Sequence, residues 1–200
     1  MTTQAMQVMH SSVESDWRTP PECFEALDRE FQFGLDAAAD EGSHLTPRWL
    51  GPGSVYADAL AVADWALVDG YSLSIFLNPP FSRTKARSWK GNPDRNPFRI
   101  ANWAKKCWEE SQRGATIVGL FPFAPQTDWY RRYVYGHRQD GGWEGHAAKE
   151  ERRLPHRISF LHPEGKPAAN AGVNTTIIVW GPMKGAVGPW LPHAYYWSWK

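Results

Sequence analysis

A chain of 200 residues with 42% hydrophobic and 22% charged side chains has the size and balance of one globular domain. A mean hydropathy of -0.54, with no apolar run approaching the roughly 20 residues that cross a bilayer, excludes a membrane span. The net charge is +1, and the only two cysteines, Cys23 and Cys107, stand 84 positions apart, which excludes a disulfide scaffold and a structural zinc site and points to a reducing compartment.

Residues 1–15 read as a polar, flexible start without the basic and apolar regions of a secretory signal. A helix follows, with Thr19 as N-cap, Pro20 at the first helical position and Glu22 at the third as a capping box, and Phe24, Leu27 and Phe31 on one face. Phe33 to Ala37 reads as a short buried strand running into the small-residue turn AAADEGS, and residues 40–54 as loop. ALAVADWALVDG fits helix or strand, and periodicity does not decide. SLSIFL, residues 72–77, is a buried strand that stops at Asn78-Pro79-Pro80, and residues 81–97 read as a long mobile loop. A helix is expected over Phe98 to Arg113, with Ile100, Ala104, Cys107 and Trp108 on one face and Gly114 as its stop, then a strand over 115–121. A short helix starts near Thr127, where Asp128 and Trp129 cap and anchor it, and residues 136–156 form a Gly-rich, charged excursion. ISFL and NTTIIVW, joined by PEGKPAANAG, have the spacing of an antiparallel hairpin, and residues 183–200 form an aromatic tail. The expectation is one α/β domain over 16–182, its sheet mostly parallel with an antiparallel C-terminal hairpin.

The near-zero net charge conceals a polarity along the chain. Residues 1–60 carry three basic side chains against ten acidic ones, residues 81–113 nine basic against three acidic, and residues 131–157 seven against four. Folded together, the basic segments make a footprint for a polyanion. Twelve tryptophans serve either as core filling or as stacking platforms for bases. The seven histidines show no metal-ligand spacing, and no metal is expected.

The sharpest motif is Asn78-Pro79-Pro80-Phe81, at the carboxyl end of an expected buried strand, where α/β sheets place their ligands. Two prolines fix φ twice and remove two N–H donors. The Asn78 side-chain oxygen and the Pro79 carbonyl then form a paired acceptor for an exocyclic amino group, and the Phe81 ring offers a face to a planar base. Acceptors on both hydrogens turn the nitrogen lone pair toward an electrophile, which is what methylation of an NH2 group requires.

This tetrapeptide resembles the (D/N/S)PP(Y/F/W) motif of amino-group methyltransferases that use S-adenosylmethionine. The ordered succession S-x-x-x-DW-x-TP, F-x-LDAAA, D-x-L, NPPF and a strand with a Pro-containing turn before TDW resembles the phage-type (Dam-like) DNA N6-adenine methyltransferases over about residues 12–180. The resemblance implies a Rossmann-like methyltransferase fold, double-stranded DNA as partner, S-adenosylmethionine as cofactor, and a phage-encoded enzyme in the cytoplasm of a bacterial host. It implies Asp16, Trp17, Thr19 and Pro20 as an N-terminal cofactor motif, Asp36, Ala37 and Ala38 as the first-strand motif, and Asp58 with Leu60 as the acidic motif near the cofactor adenosine. The three alanines Ala37 to Ala39 permit close approach of a ligand to the backbone, and Asp36 at the strand end is placed to accept from the cofactor amine. No GxG follows the first strand, and only 21 residues lie between Asp36 and Asp58, so Asp40, Glu41 and Asp58 all remain candidates for the acid that holds the cofactor ribose.

Arg83, Lys85, Arg87, Lys90, Arg95 and Arg99, which follow the tetrapeptide, are expected to grip phosphates, with Trp89 as a wedge or stacking group and Arg131 and Arg132 as further DNA contacts. Methylation of an RNA base or of a protein glutamine amide, and a non-catalytic DNA-binding role on the same fold, are the alternatives.

Overall fold

Six short runs of the chain pair into one sheet in a computed structural model that describes residues 17–68, 73–80, 82–88, 90–137, 147–162, 164–167, 174–182 and 192–199. The strands are β1 (Leu35–Asp36), β2 (Ser74–Leu77), β3 (Thr116–Pro122), β4 (Glu150–Arg153), β5 (Thr175–Trp180) and β6 (His193–Tyr196), in the order β1-β2-β3-β5-β4-β6. The pairs β1–β2, β2–β3 and β4–β6 are parallel, and β5 runs antiparallel to both β3 and β4. The helices are α1 (Pro21–Phe31), α2 (Arg83–Ser88), α3 (Ile100–Gln112) and α4 (Asp128–Tyr133).

Strand alternation sends neighbouring side chains to opposite faces and so builds two cores. Ile75, Leu77, Ile117, Phe121, Ile178 and Trp180 pack with Trp103, Ala104 and Cys107 of α3 and Tyr130 and Tyr133 of α4. Phe76, Val118, Leu120, Ile177 and Val179 pack with Cys23, Phe24 and Leu27 of α1. A layer of helix on each face of a mixed sheet is the expected α/β domain. No helix among the described residues is long and apolar enough to cross a membrane.

Several local expectations are corrected. Helix α1 starts at Pro21, with Pro20 extended at φ -58° and ψ 133° as its N-cap and no side-chain capping bond. The ring of Pro21 disfavours helical backbone in the residue before it, so the helix cannot begin at Pro20, and Thr19 is buried instead of capping. The segment 59–70 is neither helix nor strand over its described part but two 3₁₀ turns, Ala59–Ala61 and Trp65–Leu67. Within the expected loop 81–97, α2 and a 3₁₀ turn at Pro93–Arg95 are folded.

ISFL forms no hairpin. Leu161 bridges Arg18 through paired backbone bonds of 2.8 and 2.9 Å, and β5 pairs with Glu150–Arg153 instead. This strand lies in the segment expected as an exposed excursion. Its two central charges, Glu151 and Arg152, are buried because each is answered: Arg152 donates to both Glu30 oxygens at 2.7 and 2.5 Å and to Glu150, while Glu151 accepts from Tyr130, Tyr135 and Arg153. The guanidinium of Arg152 also stacks on Phe31, Tyr195 and Trp197, so part of the aromatic tail becomes edge strand β6.

A second buried charge cluster ties α3 to the 3₁₀ turns. Glu110, fully buried, accepts from the Trp65 N–H at 3.0 Å, Lys106 Nζ at 2.5 Å and Arg113 at 2.8 Å. Lys106 also donates to the carbonyls of Val62 and Ala63 at 2.6 and 3.2 Å. Removing one partner of such a cluster strands the others. Glu110→Ala is therefore expected to cost about 3–5 kcal/mol in urea unfolding; a loss below about 1 kcal/mol would show that the cluster is dispensable.

Candidate active site

Because β1 and β2 are parallel neighbours, their carboxyl ends emerge at the same edge of the sheet. The Ala37–Ala39 turn continues β1, and Asn78-Pro79-Pro80 continues β2. Between these turns opens a cleft of about 470 Å³, within the range of small-molecule sites. Its walls bring together Trp17, Ala38, Asp58, Leu60, Asn78 and Pro80 from four separate sequence motifs.

The orientation of Asn78 is set from across the chain. Its Nδ2 donates to the Trp17 carbonyl at 3.1 Å, a contact between residues 61 apart. Among the described residues none donates to its Oδ1, which is left as the acceptor at the end of β2. Pro79 behind it is buried, so the backbone cannot swing away.

Other sequence-derived residues stand behind the walls. Thr19, Pro20 and Ala37 are buried and do not line the cleft. Asp36 does not line it either: its carboxylate accepts the backbone N–H of Ala38 at 3.4 Å and of Leu45 at 3.1 Å. Burial pushes this carboxyl up to about 6, against the lowering effect of those two bonds. Asp36 thus shapes the alanine turn from within. Of the three acids considered for the ribose, Asp40 and Asp58 line the cleft and Glu41 does not.

Asp16, Phe81 and Trp89 lie outside the described residues. Arg83 opens α2, with only its backbone described. Lys85 is half-buried, its Nζ 5.3 Å from the Phe98 ring centroid, while Arg87 and Lys90 are exposed. Arg131 and Arg132 are exposed on α4, the first paired with Asp128 and the second over the Tyr133 ring. Among the described residues no group of three or more His, Cys, Asp or Glu side chains could hold a metal ion.

Other lining residues lie outside those motifs. Arg95, expected among the phosphate contacts of the basic segment, folds back over the cleft with Pro97 and Phe98 and stands 3.6 Å from Asp58. Gly51 also lines it, with a φ of +137° that is hostile to any side chain and a position where a Cβ would lie 2.0 Å from the Ala39 carbonyl oxygen. The signal for it is the Gly-Pro-Gly run at 51–53, but its contact with the alanine turn is not local.

Gly51→Ala forces the cleft floor away from Ala39 and is expected to cost about 2–4 kcal/mol, seen as a lower thermal midpoint. An unchanged midpoint would show that the floor yields without strain. For Asp36, the raised native pKa means that the folded state binds a proton more readily than the unfolded chain. The resulting stability is complete below about pH 4 and is lost as pH rises through about 6. Asp36→Asn should remove this fall, amounting to up to about 3 kcal/mol of pH dependence; a parallel pH profile for parent and variant would contradict the assignment.

Compared with known proteins, the chain matches the family model for DNA N-6-adenine-methyltransferase (Dam) over residues 7–188. A search of curated proteins finds no match. The match spans the cleft, the Asn-Pro-Pro turn and the whole sheet except β6, and the chain belongs to the DNA N-6-adenine-methyltransferase (Dam) family, whose general activity is methylation of adenine in DNA.

Proposed function

We propose that this protein transfers a methyl group from S-adenosylmethionine to N6 of an adenine flipped out of duplex DNA onto Asn78-Pro79-Pro80-Phe81. The observation that carries this reading is the Asn78 to Trp17 bond, which commits the amide donor and leaves Oδ1 as an acceptor beside the cleft. The cleft suits the cofactor in chemistry as well as volume. Trp17, Leu60, Phe98 and Trp103 offer apolar surface to an adenine ring, and Asp40 and Asp58 offer carboxylates to hydroxyl or ammonium donors. When bound, S-adenosylmethionine supplies an electrophilic methyl group on a sulfonium that leaves as a neutral thioether.

The chain's own residues do the rest by positioning. Asn78 Oδ1 and the Pro79 carbonyl each accept one hydrogen of the exocyclic amino group, which draws the nitrogen lone pair out of conjugation with the ring. Phe81 stacks on the base and Pro80 stiffens the turn. As the new N–CH3 bond forms, the nitrogen gains positive charge, which both oxygens stabilise until one proton departs to water. Asn78 is neutral and does not hold that proton. Asp40 or Asp58, both on the cleft wall, holds the cofactor ribose, and Arg95 stands 3.6 Å from Asp58.

Asn78→Ala is expected to lower the methyl-transfer rate by about 10²–10³-fold while S-adenosylmethionine affinity, read by calorimetry, changes only a few-fold. Near-normal turnover would overturn the role given to Asn78. In the basic segment, neutralising Arg83, Lys85 and Arg87 together should weaken binding to all duplex sequences alike. It should also flatten the salt dependence, by up to about 0.9 in log–log slope for each phosphate that is no longer neutralised. Unchanged affinity and slope would move the DNA face elsewhere.

A further inference from the structure

The sheet carries a second concavity at the same edge as the cleft. Strand β3 is parallel to β2 and runs on past it, so its end and the following Phe123 emerge at the same edge of the sheet as Asn78. Strand β5 is antiparallel to β3 and begins at this edge with Asn174 and Thr175, while β4 and β6 end here with Arg153 and Tyr196. Register sets Arg153 directly between Thr176 and Tyr196. The hollow these ends enclose measures about 270 Å³ and is completed by Pro155, His156 and Arg157.

Its chemistry is one-sided. Among the described residues that line it there is no acid, against two arginines and a histidine. Phe123 and Tyr196 are 37% and 75% exposed, large rings open to solvent in a domain whose other described Phe, Tyr and Trp side chains are all buried or half-buried. The two guanidinium groups are held in place by their Nε atoms: Arg153 donates to Glu151 at 2.7 Å and lies 5.6 Å from the Phe123 ring centroid, and Arg157 donates to Asn174 at 3.2 Å. Preset guanidinium groups beside open aromatic faces are suited to a phosphate and an unpaired or partly unstacked base.

We propose that this hollow is a binding site for the substrate DNA strand, taking a phosphate on Arg153 and Arg157 and a neighbouring base against Tyr196 or Phe123. This rests on the methyltransferase reading above. Three strand spacings separate β2 from β4, or about 15 Å, which corresponds to roughly four base steps along a duplex strand. The site thus grips DNA a few nucleotides from the flipped adenine, on the side away from the cofactor cleft, while the segment after Phe81 grips it nearer the target.

The test is the double variant Arg157→Ala, Tyr196→Ala, since both side chains are exposed and neither is part of the cleft. Binding of a labelled mixed-sequence duplex is followed by anisotropy across a salt series, with S-adenosylmethionine affinity measured on the same preparations. The expected result is a 10- to 100-fold loss of duplex affinity and a salt slope shallower by about one, with cofactor affinity retained. If the parent methylates DNA and the double variant keeps its affinity and slope, the hollow is not on the DNA path, although the methyltransferase reading stands. If the parent itself neither binds nor methylates DNA, both fall together.

Discussion

The site depends on one hydrogen bond between distant parts of the chain. Asn78 could present either end of its amide to the cleft, and its Nδ2 is taken up by the Trp17 carbonyl at 3.1 Å. Everything that stiffens this contact therefore stiffens the acceptor. On one side stand the buried strand β2 and two successive prolines; on the other the N-terminal segment is sewn down by the Arg18 to Leu161 bridge and by stacking of Trp17 on Phe160. Preorganised dipoles of this kind lower a barrier because no reorganisation is needed as charge develops.

The cleft beside that acceptor is shaped by groups that never face it. Asp36 holds the alanine turn from beneath, through the N–H groups of Ala38 and Leu45. Gly51 lets the next segment lie against Ala39. Glu110 and Lys106 reach from α3 to fix the backbone at Trp65, Val62 and Ala63, a few residues after Asp58 and Leu60. Buried carboxylates are costly without partners, and each here is engaged. Stability and site geometry are consequently linked in this molecule: Asp36, Glu110 and Lys106, buried by folding, also position the walls.

What can be read from the sequence divides along the range of the interactions. The apolar runs of β2, β3 and β5, the helix α3 with its stop at Gly114, and the α/β class follow from local pattern, as does the placement of Asn78 at a strand end. The start of α1 misleads because a Thr-Pro pair mimics a cap, whereas the second proline sets the boundary. Glu-Glu-Arg-Arg at 150–153 does not look like a strand, and becomes one only because Glu30, 122 positions away, meets Arg152. The same limit applies to the cleft. Trp17, Ala38, Asp58, Leu60 and Asn78 are recognisable from motifs, but Arg95 and Gly51 join them through contacts that no local spacing encodes, and Asp36 proves to be a support for the wall.

The destination of the methyl group is the most direct test of the role proposed for Asn78 and Pro79. Incubation of the protein with tritiated S-adenosylmethionine and unmethylated DNA, followed by digestion to nucleosides and chromatography, identifies the acceptor atom. An amino group held between Asn78 Oδ1 and the Pro79 carbonyl predicts that the label runs with N6-methyladenosine of the deoxy series. Label in a ring-carbon-methylated base, or label that appears only when RNA or protein replaces the DNA, would contradict it.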